Sequence, residues 1–82
     1  MKLVELTKNI VEQLVDDAEL VTVKEFPSEN EDEIIIQVMV PEDQIGKVIG
    51  KQGKIANALR TIVQASSYIN EKKRVNINID SY

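Results

Sequence analysis

The residues best placed to do chemistry lie in one segment, Ile45-Gly46-Lys47-Val48-Ile49-Gly50-Lys51-Gln52-Gly53-Lys54-Ile55. Gly50 and Gly53 enclose two polar residues. A chain without a β-carbon at both positions can turn tightly and let another backbone come close. Lys47, Lys51 and Lys54 add positive charge around that turn. A helix starting at Lys54 would contribute backbone N–H groups that have no intrahelical partner. The chemistry this supports is the holding of phosphate by amides and ammonium groups.

Other glycine motifs fit poorly. A dinucleotide fingerprint needs GxGxxG directly after a strand, whereas three residues separate Gly46 from Gly50. A P-loop needs four residues between its glycines and Ser or Thr after the lysine, where this chain has Gln52. Nucleotide hydrolysis is therefore disfavoured. The plain structural alternative for Gly50 and Gly53 is a helix stop followed by a reverse turn with no ligand. Gly46 reads as a packing glycine inside a short helix.

The chain contains neither cysteine nor histidine. Disulfides, thiolate or imidazole zinc sites and Cys/His or Ser/His catalytic pairs are excluded. Glu29, Glu31, Asp32 and Glu33 lack the ordered spacing of a calcium loop and read as a solvated acidic turn. No pairing of carboxylates suggests an enzyme. Apolar runs fall far short of the roughly 20 residues a bilayer requires, and Met1-Lys2-Leu3-Val4-Glu5 meets charge too early for a signal peptide. A cytoplasmic location without membrane contact is expected.

The formal net charge of -4 argues at first against a polyanionic partner. Its distribution reverses that argument: residues 1–44 carry -9 and residues 45–82 carry +5. The basic half is the half with the glycine turn. Lys72, Lys73 and Arg74 form a second basic run that reads as a solvated turn, and Arg60 stands alone.

The elements that must position the turn follow from periodicity. Leu3, Leu6, Ile10, Val11, Leu14 and Val15 recur at helical spacing, which predicts a helix ending near Asp16 or Asp17. Leu20 to Phe26 predicts a strand ended by Pro27. Glu33 to Val40, apolar on both faces, predicts a central strand. Pro41 fits the first turn of a short helix whose buried side is Ile45, Val48 and Ile49. After Gly53, the stripe Ile55, Leu59, Ile62 and Val63 predicts a second helix, with Asn57, Arg60 and Gln64 on its polar side. Asn70 to Arg74 form a polar connection, and Val75, Ile77 and Ile79 alternate along a last strand. The predicted architecture is one α+β domain over residues 1–82, in the order α-β-β-α-α-β, with a three-stranded sheet covered on one face by helices.

Ile49-Gly50-Lys51-Gln52-Gly53, set between two helices, resembles the I-G-x-x-G signature of KH domains. The element order is similar to the type II form of that fold. The whole chain is similar to small bacterial single-KH RNA-binding proteins. The resemblance implies a cleft for about four unpaired nucleotides, with the loop clamping the RNA backbone. Carried over by position, Gly50, Lys51, Gln52 and Gly53 would form the clamp, Ile49 and Ile55 the apolar side of the groove, and one sheet edge the opposite wall. Lys47 and Lys54 would attract phosphate. One position departs from the pattern: many KH domains have a large aliphatic residue where this chain has Ala56, which changes the expected groove floor.

The resemblance further implies a non-catalytic RNA chaperone or post-transcriptional regulator without cofactors. Its partners would be single-stranded RNA and either a second copy or another KH-containing RNA-binding protein. The three aromatic residues, Phe26, Tyr68 and Tyr82, lie away from the turn in sequence, so ring stacking is not expected to dominate binding. The competing reading is a protein-interaction module on the same fold, with weak or no RNA binding.

Overall fold

The computed structural model describes residues 2–70 and 72–82. Met1 and Glu71, which belong to the N-terminal segment and the polar connection discussed above, lie outside the described residues. The elements run α1 (Leu3–Glu12), β1 (Thr22–Pro27), β2 (Glu33–Val40), α2 (Ile45–Ile49), α3 (Lys54–Asn70) and β3 (Arg74–Ser81). This is the expected order.

α1 buries Leu3, Thr7 and Val11, one residue per turn on a single face, and the Thr7 hydroxyl is satisfied by donating to Leu3 O at 2.8 Å. The helix stops earlier than its apolar spacing suggests. Gln13 and Leu14 N–H already donate three residues back, to Ile10 O and Val11 O. Asp16 N–H is then taken by Gln44 Oε1 at 3.0 Å. Val15 still packs against the core, but from a turn rather than from the helix. Leu20, expected in the first strand, lies in a 3₁₀ turn over Ala18–Leu20 that Asp17 caps by accepting from Glu19 N–H.

The sheet order is β1-β2-β3, with β1 antiparallel and β3 parallel to the central β2. Pro27 is the last residue of β1, which an edge strand tolerates. Ile34, Ile36, Val38 and Val40 of β2 are buried beneath the helices together with Ile77 of β3. The other face of β2 presents Ile35, Gln37 and Met39, half-buried between Phe26, Lys24 and Thr22 on one side and Asn76, Asn78 and Asp80 on the other. Its apolar content on two faces therefore reflects flanking strands, not a second layer of helices.

A parallel β2–β3 pair needs a crossover, and α2 and α3 supply it. Pro41 ends β2 but does not begin the helix. Residues 42–44 form a turn closed by Gln44 N–H to Pro41 O at 2.8 Å, and α2 starts at Ile45. Val48 is the fully buried residue of α2.

α3 buries Ala56, Leu59, Val63 and Ser67, spaced three and four apart. Ile62 is not among them and is 49% exposed, because a step of about 100° per residue swings it to the flank of the Leu59–Val63 line. Burial of each large side chain in this core is worth about 1.5–3 kcal/mol.

Candidate nucleic-acid interface

α2 closes with Gly50 N–H donating to Gly46 O at 2.9 Å. Gly50 then adopts φ 76°, ψ 175°. This is positive φ with an extended ψ, not the left-handed helical stop the sequence suggests, and it is a region open essentially to glycine alone. A 3₁₀ turn over Lys51–Gly53 follows, closed by Gly53 N–H to Gly50 O at 3.2 Å. Inside it Gln52 is left-handed (φ 58°, ψ 25°), and Gly53 again has positive φ, 75°. The chain reverses hand in four residues and pushes Lys51 and Gln52 into solvent, both exposed.

Glycine is required at position 50 for a second reason. A β-carbon there would lie 2.6 Å from Ile55 Cγ1 and 2.9 Å from Ile55 Cβ. Ile55 therefore folds back over the turn, at the border between buried and exposed (36%), while Ile49 is half-buried on the α2 side. Gly53 meets nothing closer than Asn57 Nδ2 at 3.8 Å, so its backbone angle is what demands glycine. Gly46 behaves otherwise than expected: an added β-carbon would meet nothing within 4 Å, because its side of α2 looks to solvent and not to a neighbouring backbone. Ala56 is buried in the core and is not part of an open groove floor.

Lys51 and Lys54 are exposed at the turn and at the start of α3. Lys47 is already engaged. Its Nζ donates to Asp16 Oδ2 at 2.6 Å, and Gln44 Nε2 reaches the same oxygen at 3.5 Å. The hydrogen bond from Lys47 and then its charge hold the Asp16 carboxyl below the usual carboxylate value, with Gln44 assisting. The lysines of the segment thus divide into two exposed ones and one tethered toward the α1–β1 connection.

Residues beyond the turn are tied to β3 in a way the sequence does not show. β3 is an edge strand, and α3 lies along its open side. Gln64 Nε2 donates to Lys73 O at 3.0 Å while Gln64 Oε1 accepts from Val75 N–H at 2.9 Å, so the side-chain amide substitutes for a neighbouring strand. Ser67 Oγ donates to Lys73 O at 2.7 Å, and Arg60 Nη2 lies 3.5 Å from Ile77 O. The sequence does place Asn57, Arg60 and Gln64 on one flank of α3, but nothing in it pairs that flank with β3. The result is a concavity between α3 and the β3 edge, lined by Arg60, Gln64, Tyr68 and Val75, on the helix flank that starts at the glycine turn. α3 contains no acidic residue.

A family model described as KhpA/KhpB, KH domain, matches residues 4–79. The chain is 47% identical to the RNA-binding protein KhpA of Caldanaerobacter subterraneus subsp. tengcongensis over 75 residues, 92% of this chain and 96% of that protein. It is 45% identical to the protein of that name from Clostridium perfringens, with the same coverage. Among solved structures, the fold matches a crystal structure of Era in complex with MgGDPNP and nucleotides 1506-1542 of 16S ribosomal RNA. The TM-score is 0.68 at 16% identity, over 96% of this chain and 29% of that one. A point variant of Aquifex aeolicus Era bound to GDP.AlF4- matches with TM-score 0.71 at 14% identity, over 98% of this chain and 30% of that one. At such identities the likeness to Era is one of fold. Element order, glycine turn and sequence agree, and the chain belongs to the KhpA/KhpB family of KH domains.

Proposed function

We propose that this protein binds short single-stranded RNA, with the Gly50-Lys51-Gln52-Gly53 turn clamping the sugar-phosphate backbone and no catalytic step. The observation that carries the reading is the turn itself. Three of its four residues have positive φ, and its two central side chains project into solvent beside the N-terminus of α3. A stop between helices needs one such residue, not three. Lys51 and Lys54 attract phosphate, Lys47 joins them if it leaves Asp16, and Ile49 and Ile55 give the bases an apolar side. The relatives' description as RNA-binding proteins supports the same reading. The roles that suit such a binder are RNA chaperone and post-transcriptional regulator, acting in the cytoplasm. No helix among the described residues is long and apolar enough to cross a membrane. A mobility-shift assay on a variant with acidic residues at positions 51 and 52 tests the clamp.

One cleft for about four nucleotides gives little affinity, and a second linked site raises it by avidity. Self-association supplies that second site. Ile55, Ile62 and Ile69 recur every seven residues on α3, are 36%, 49% and 79% exposed, and alternate with exposed Ala58 and Ala65. This spacing is that of a helix-pairing seam. The isoleucines are symmetric about Ile62, which suits a twofold contact with a second copy, and the same seam would suit the KH domain of a related protein. Ile62 and Ile69 lie on the flank of α3 away from Arg60 and Gln64, whereas Ile55 and Ala65 border both surfaces, so pairing centred on Ile62 narrows the groove without closing it.

A further inference from the structure

We infer that the RNA path does not end at the four-nucleotide clamp but continues along α3 to Tyr68, whose ring stacks an additional base. The inference rests on the RNA-binding reading above and extends it to a second subsite. Between α3 and the outer edge of β3 lies a concavity of about 440 Å³ lined by Arg60, Thr61, Gln64, Ala65, Tyr68 and Val75. The same flank of the helix leads from this concavity back to the glycine turn. Asn57 lies next to Gly53, Arg60 bonds to Asn57 at 3.4 Å, and Gln64 and Tyr68 follow at one-turn intervals. From Lys54 to Tyr68 this flank extends about 21 Å at 1.5 Å per residue.

The occupant is specified by chemistry. Tyr68 is 57% exposed, with its ring beside the apolar Ala65 and Val75. An exposed aromatic ring at the end of a basic groove is a stacking platform for any base, since every base has a π-face. Arg60 supplies positive charge midway, Lys72 follows shortly after the helix, and α3 itself carries no carboxylate to repel phosphate. Gln64 and Ser67 already saturate the β3 edge at Lys73 and Val75, so a peptide strand cannot add there. Stacking does not need that edge.

The test compares a uridine tetranucleotide with an octanucleotide. Tyr68→Ala should weaken octanucleotide binding about tenfold and leave tetranucleotide binding unchanged, and Tyr68→Phe should bind both like the parent. The chain has two tyrosines and no tryptophan, so Tyr82→Phe leaves Tyr68 as the sole tyrosine emitter. Its fluorescence should be quenched by the octanucleotide and not by the tetranucleotide. Parental octanucleotide affinity in Tyr68→Ala, or emission indifferent to the octanucleotide, overturns the second subsite while the clamp stands. Loss of self-association by Tyr68→Ala in light scattering overturns it too, by assigning the ring to a protein contact. Failure of the parent to bind either oligonucleotide removes the RNA-binding reading and this inference together.

Discussion

Ile55 Cγ1 occupies the space where a β-carbon at Gly50 would sit, 2.6 Å away, so that the turn and the first residues of α3 are one packed unit. Gly50→Ala meets two penalties, a backbone conformation reserved for glycine and this clash. The first alone costs about 1–3 kcal/mol. We expect urea denaturation to show a loss of at least that size. Adding Ile55→Ala removes the Cγ1 contact but keeps the Cβ one at 2.9 Å, so it should recover part of the clash and none of the backbone cost, giving a coupling in a double-mutant cycle. A Gly50→Ala protein as stable as the parent would mean that the turn has another conformation.

Asp16 restrains Lys47. Because its carboxyl is held below the ordinary value by the Lys47 hydrogen bond and charge, the pair is intact at neutral pH. It is lost only as pH falls through that lowered value. We expect the Asp16 carboxyl resonance to titrate at lower pH in the parent than in Lys47→Gln. Asp16→Asn frees the lysine at neutral pH, and RNA affinity should rise about two- to threefold in low salt and converge with the parent in high salt. An unchanged affinity at both salt concentrations would place Lys47 off the phosphate path.

Ile62 tests self-association. Ile62→Asp puts a carboxylate at the centre of the isoleucine seam without touching the core, since the parent side chain is about half exposed. Light scattering should shift to the monomer mass at concentrations where the parent is dimeric, and the melting temperature should match that of the parent diluted to its monomer. RNA affinity should fall in step, by loss of avidity rather than of contacts. A parent that is monomeric at all concentrations contradicts the seam.

Much of this fold was legible because its signals are local. Glu33 to Val40 is an apolar run rich in β-branched residues between an acidic turn and Pro41, and the Gly50–Gly53 turn between two helical patterns marks the crossover. What escaped was decided by residues far apart in sequence. α1 stops at Glu12 although its apolar pattern runs on to Val15, because Asp16 is held by Gln44 and Lys47, 28 and 31 positions away. Ile62 reads as core because a helical stripe is wide in sequence, and only the packing shows which side of it the sheet covers. Gln64 looks like a solvated polar residue until β3 is placed beside it, where it completes the strand edge.

RNA binding by Lys51→Asp with Gln52→Asp decides whether the Gly50–Gly53 turn is the RNA clamp. Both side chains are exposed, and Asp tolerates the left-handed backbone of position 52, so stability should change by no more than about 0.5 kcal/mol. Two carboxylates beside the phosphate path should abolish the mobility shift of a short unstructured RNA. A protein that melts like the parent and no longer shifts RNA is the predicted result. One that melts like the parent and binds RNA with parental affinity would contradict the clamp and favour a protein-interaction role for this fold.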